Sequence, residues 1–166
     1  FTGLRWSEIA GLQKDDLNVS ASTLRVDGSV KRTERYGTKY SQELKTALSR
    51  RTVYIPTLLS KMIDEHAKTL EGDFLFPSPK GQLLDYSNWR DDAWNPAVAA
   101  TGFPFTFHDL RHTYSAVLDS AGAPLDMMQK QAGHSTARMT VHYSASFTDR
   151  VPHVMGEIDR IYAEGV

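Results

Sequence analysis

The chain has no cysteine among its 166 residues. That removes disulfides, thiolate metal sites and cysteine nucleophiles together, leaving Ser, Thr, Tyr, Lys, His and carboxylates for any chemistry. Nor does any apolar run approach the roughly 20 residues of a membrane-spanning helix, and no signal peptide precedes the first motif. The expectation is a cytoplasmic chain with no membrane partner. An initiator Met is missing too: the sequence opens "FTGLRW", as a piece of something longer that begins inside an element. The formal charge of −1 shows no basic excess, which at first sight argues against a nucleic-acid partner. What is present is ordinary for one globular domain with a real core, 40% hydrophobic and 23% charged residues.

The near-zero charge conceals a pattern. Between Arg25 and Arg51 stand 8 basic and 3 acidic residues, a local excess of +5 that leaves −6 for the rest. Most of it falls in "KRTERYGTKYSQELKTALS", which is polar and has little apolar periodicity, and so reads as a long hairpin or mobile loop. It lies between two strand-like stretches, "STLRVDGSV" and "RRTVYIP". Helices are expected in "TGLRWSEIAGL", with Thr2 as cap, and in "TLLSKMIDEHAKTL", with Thr57 as cap and Leu58, Leu59, Met62, Ile63, His66 and Leu70 on one stripe. "SNWRDDAWNPAVAATG" reads as a helix perturbed near Pro96, with Trp89 and Trp94 in the core. From Phe107 onward the pattern is helical with brief breaks. The fold class is mainly α with a small antiparallel β-sheet of about three strands, in a single domain.

The stretch with most chemistry is "HDLRHTY". His108 and His112 have the i, i+4 spacing of a zinc-binding helix, with His134 or His142 available as a third ligand; Arg111 between them suits a phosphate instead. A metal site leaves Arg111 unexplained. Two further stretches, "TGLRWSEIAGL" and "AGHSTARMTVHY", complete a set: an Arg in TGLRxSE, then HxxRH, then Gly-His, then a Tyr nine residues after that His. This set resembles the conserved boxes of the tyrosine recombinases, the phage integrase family, in their usual order. The resemblance implies the C-terminal catalytic domain, residues 1–166, with the N-terminal core-binding domain absent from this sequence.

Phosphodiester transfer builds negative charge on the non-bridging oxygens, so fixed cations and proton donors at both ends are what it needs. Guanidinium is planar, always charged and able to grip two oxygens, which makes Arg5 and Arg111 the candidates for a clamp. The resemblance implies a phosphate contact or proton transfer for His108, a phosphate hydrogen bond from His134 and nucleophilic attack by Tyr143. It also implies a hairpin lysine as general acid; Lys45 is the choice and Lys39 the rival. Glu8 and Asp109 would orient neighbours. Lys31, Arg32, Arg35, Lys39, Arg50 and Arg51 would face double-stranded DNA. No metal and no cofactor are expected. In this family the tail, Thr148 to Ala163 here, packs on a neighbouring protomer and gives a homotetramer on DNA; the alternative is that it closes its own domain. Two other functions remain open, a non-catalytic helix-turn-helix module in "PLDMMQKQAGHSTARMTVHY" and a zinc hydrolase.

Overall fold

The computed structural model describes residues 1–35, 37–43, 50–133, 155–156 and 158–160. Helix α1 (Trp6–Ile9) opens the chain, and a 3-10 turn (Lys14–Asp16) leads into β1 (Leu17–Asn18) and β2 (Thr23–Val26). Strands β3 (Ser29–Thr33) and β4 (Gly37–Ser41) form a hairpin, and β5 (Arg51–Tyr54) returns beside β2. Two antiparallel sheets result, β1-β2-β5 and β3-β4. The polar basic stretch is therefore a paired hairpin over much of its length, because Gly37 at φ +68° permits the tight reversal.

The three-stranded sheet pairs Leu24 with Val53 and Val26 with Arg51. Leu24, Val26 and Val53 are buried and join Leu4, Leu12, Ile55, Ile63 and Leu75 in one core. Helix α2 (Thr57–Lys68) covers this core through Ser60 and Ile63. The stripe expected for α2 is narrower than its sequence suggests: Leu58 and Met62 are 50% and 58% exposed. At 100° per residue they lie beside the Leu59–Ile63 line and turn outward. Thr57 is the first helical residue rather than the cap, which is Pro56.

Helix α3 (Tyr86–Trp89) starts on Asp85, whose carboxylate accepts the Ser87 and Asn88 N–H groups. A π-helical turn (Arg90–Trp94) joins it to α4 (Asn95–Thr101). Pro96 is the cause of the turn: it has no N–H to donate to the preceding helix, and the Asn95 N–H bonds one residue further back, to Arg90 O. Trp89 and Trp94 are half-buried and belong to neither core, contrary to the sequence expectation. They stack at 5.5 Å inside a ring cluster with Trp6, Tyr86, Phe105 and Phe107.

Helix α5 (Phe107–Ser120) has a reciprocal cap. Thr106 accepts the Asp109 N–H, and Asp109 accepts from both the Thr106 N–H and its hydroxyl. Asp109 is thus spent on the helix start, and those bonds to Thr106 hold its carboxyl below the usual range. Helix α6 (Leu125–Ala132) follows and ends at Gly133 in the left-handed conformation. Tyr114, Leu118 and Met127 form a second core, into which Met155 and Ile158 of the tail are also buried.

Candidate active site

Arg5 precedes α1, and Arg111 lies one turn into α5. Helix α1 starts at Trp6 because its Glu8 carboxylate turns back to the Arg5 N–H at 2.9 Å; Arg5, and not Thr2, is the cap residue. The same carboxylate accepts from Arg5 Nη1 at 2.9 Å. His108 and Arg111 share a face of α5, three residues apart. Leu4, Arg5, Trp6, Tyr86, His108 and Arg111 line an open cleft of about 300 Å³, cationic on one wall and aromatic on the other.

The Arg111 side chain is buried. Its Nη1 donates to Gly3 O at 2.6 Å and its Nη2 donates to Ala132 O. Burial, and then the nearby Arg5 charge, pull its pKa down to about 10, with Glu8 opposing and Arg51 adding to the fall. It stays charged at neutral pH. Gly3 is required there on two counts: its φ is +61°, and a Cβ would stand 2.5 Å from Tyr114 Cδ1.

Arg51 is the residue whose place the sequence reading missed. It is not exposed as Lys31, Arg32, Arg35, Lys39 and Arg50 are. Its side chain is 7% exposed and grips both oxygens of Glu8, Nη1 to Oε1 at 3.0 Å and Nη2 to Oε2 at 2.9 Å. The signal was strand alternation: Arg51 shares its side of β5 with Val53, so it points inward. Burial works to raise the Glu8 carboxyl, but the bonds and charge of Arg51, then those of Arg5, outweigh it and hold the pKa below the usual range.

His112 is exposed, and its ring meets that of His108 edge-on at 4.9 Å. Among the described residues no cluster of His, Asp or Glu could hold a metal ion. Lys31 and Lys39 stand directly opposite each other in the hairpin register, both exposed. Thr38 to Asp85 at 2.9 Å and Arg32 to Ser87 at 2.9 Å tie this hairpin to the start of α3. Lys45, His134 and Tyr143 lie outside the described residues, as does most of the tail.

The model of the Phage integrase family matches residues 1–150. The chain is 30% identical over 164 residues to a tyrosine recombinase XerC-like protein of Caldanaerobacter subterraneus subsp. tengcongensis, covering 85% of this chain and 42% of that one. It is 32% identical over 146 residues to tyrosine recombinase XerC of Mycobacterium sp. strain KMS, covering 86% and 45%. It therefore spans less than half the length of these curated relatives. In fold it is similar to the Tn1549 transposon integrase in complex with transposon right end DNA, at TM-score 0.70 and 21% identity, covering 97% of this chain and 56% of that one. It is also similar to the XerA recombinase, at TM-score 0.61 and 19% identity, covering 99% and 54%. The fold that carries the two arginines is thus a shared one, and the chain belongs to the phage integrase family of tyrosine recombinases.

Proposed function

We propose that this chain is the catalytic domain of a site-specific DNA recombinase that cuts and rejoins strands through a covalent 3′-phosphotyrosine. The observation that carries the reading is the meeting of Arg5, His108 and Arg111 on one open cleft, although 103 residues separate the first two in sequence. In the proposed step the Tyr143 oxygen passes its proton to His108 and attacks phosphorus, the bond to the 5′-oxygen breaks, and Lys45 gives that oxygen its proton. The free 5′-hydroxyl of another strand then reverses the chemistry. Arg5 and Arg111 hold the non-bridging oxygens, and His134 donates to them. The phosphotyrosine ester conserves the energy of the bond that is broken, so rejoining requires no nucleotide cofactor, and the two guanidinium groups supply the positive charge that a metal would otherwise bring.

The hairpin supports DNA as the substrate. Lys31 and Lys39 stand directly opposite each other and exposed, which concentrates positive charge on the hairpin where phosphates can meet it. Lys31, Arg32, Arg35, Lys39 and Arg50 supply phosphate contacts, which position the duplex without reading its sequence. Assembly into a tetramer through the tail belongs to the same proposal; Met155 and Ile158 anchor the tail's described part in its own domain.

The test is covalent trapping. The protein is incubated, in chelator, with nicked duplexes taken from the flanks of its gene, and denaturation-resistant adducts are collected. The expected result is an adduct that maps to Tyr143 and is absent from the Tyr143→Phe variant. Tight DNA binding with no adduct on any duplex would favour a binding module, and adduct-free hydrolysis restored by zinc would favour a metal site.

A further inference from the structure

Three consecutive carbonyls at the end of α6 each accept from a different arginine. Gln131 O receives Arg51 Nε at 3.2 Å, Ala132 O receives Arg111 Nη2, and Gly133 O receives Arg5 Nη2 at 3.3 Å. The last carbonyls of a helix have no partners within it and carry the negative end of its dipole, so they fix guanidinium groups in place. The arginines come from β5, α5 and the start of α1, so the helix end gathers three separate elements.

Arg51 differs from Arg5 in its burial and from Arg111 in its partner. Its side chain is 7% exposed where that of Arg5 is 43% exposed. Its two Nη atoms are committed to the two oxygens of Glu8, and Glu8 in turn holds both the backbone and the side chain of Arg5. A Cβ on Gly133 would come within 2.8 Å of Arg51 Cζ, so the backbone leaving α6 lies directly against this guanidinium. The next residue in the chain is His134.

We propose that Arg51 is a positioning residue for phosphodiester cleavage: it fixes Glu8 and the end of α6, and through them the aim of Arg5 and Arg111. It makes no contact with DNA. This inference rests on the recombinase reading, and it separates Arg51 from the hairpin cations among which its position in the sequence puts it. A hairpin cation acts on DNA affinity and on its salt dependence; a positioning residue acts on the rate once DNA is bound.

The experiment compares Arg51→Met, Arg51→Lys and Glu8→Gln with the unsubstituted protein in the trapping reaction at saturating duplex. Each is run on an ordinary scissile phosphate and on a methylphosphonate, in which a methyl replaces one charged oxygen. On phosphate, Arg51→Met is expected to slow adduct formation by about 100-fold, the scale of losing one transition-state donor. Arg51→Lys keeps the charge but not the fork, and about 10-fold is expected. The Kd for the duplex and its salt slope should stay unchanged, and the loss of rate should shrink on the methylphosphonate, where the clamp has less charge to meet. An equal loss on both linkages would show that Arg51 serves the fold alone and would overturn the proposal. A weaker Kd with a salt slope smaller by about 1 would make it a phosphate contact, and overturn it as well. Glu8→Gln, nearly the same shape, should reproduce the signature even where Arg51→Met does not fold. No adduct from the unsubstituted protein on any duplex would defeat the recombinase reading itself, a different failure from either of these.

Discussion

Glu8 faces three guanidinium groups, and its titration carries a sign. Its folded pKa lies below the ordinary 4.5, so its pairing stabilises the fold above that value and is lost as pH falls through the folded pKa. Glu8→Gln leaves a buried Arg51 without its counter-charge and should cost about 3 kcal/mol at pH 7. Urea unfolding at pH 7 and at pH 3 checks this, since the gap between the two proteins should narrow at the lower pH. Gly3→Ala tests a different constraint. The added methyl meets the ring of buried Tyr114 at a backbone angle that alanine resists, and about 2 kcal/mol or more should be lost. Adduct formation should fall too, because Gly3 O anchors Arg111. At this scale the motif set singled out Arg5, His108 and Arg111 as candidates, and the fold brings the three to one cleft. Arg51 was grouped with the DNA-facing cations because a charge run draws attention to the surface, whereas strand alternation turns this one member inward.

Helix α5 could be read from its own letters, since Thr106 and Asp109 mark its start and the apolar positions mark its buried face. Helix α1 was placed three residues early: Thr2 looks like a cap, but the carboxylate that caps Arg5 comes from inside the helix. The tryptophans of α3 and the π-helical turn misled for another reason. Tryptophan usually means core, yet the π turn imposed by Pro96 changes the phase of the helix and sets Trp89 and Trp94 against other half-exposed rings. Between elements the firmest tie is Gln131, whose amide mimics a strand residue on the edge of β5. It accepts from the Tyr54 N–H at 2.9 Å and donates to the Tyr54 carbonyl at 2.7 Å. Gln131→Leu removes both bonds in a buried place and should cost about 2 kcal/mol in urea unfolding. The added apolar volume does not offset it, since backbone polar groups still have to be satisfied.

For the whole molecule, composition alone misleads: a net charge of −1 hides a basic hairpin set against an acidic remainder. Neutralising Lys31 and Lys39 together should weaken DNA binding nearly uniformly across sequences and lower the salt slope by about 2, as measured by titration between 50 and 200 mM salt. The antiparallel sheet and the mainly helical fold followed from periodicity. The division into two sheets did not, because nothing in the letters says which neighbour a short strand will choose. The arginine-gripped helix end also bears on how the protein is made. Its bonds from Arg5 to Gly133 and from Arg51 to Gln131 join residues 128 and 80 positions apart, and Arg111, which also holds it, reaches back 108 positions to Gly3. Contacts so distant in sequence form late, after loop closure has been completed. A chain still emerging from the ribosome has its first arginine long before it has the carbonyls that aim it. On the recombinase reading, the arginines that meet the scissile phosphate are therefore aimed only after Gly133 has been made and folded back onto them.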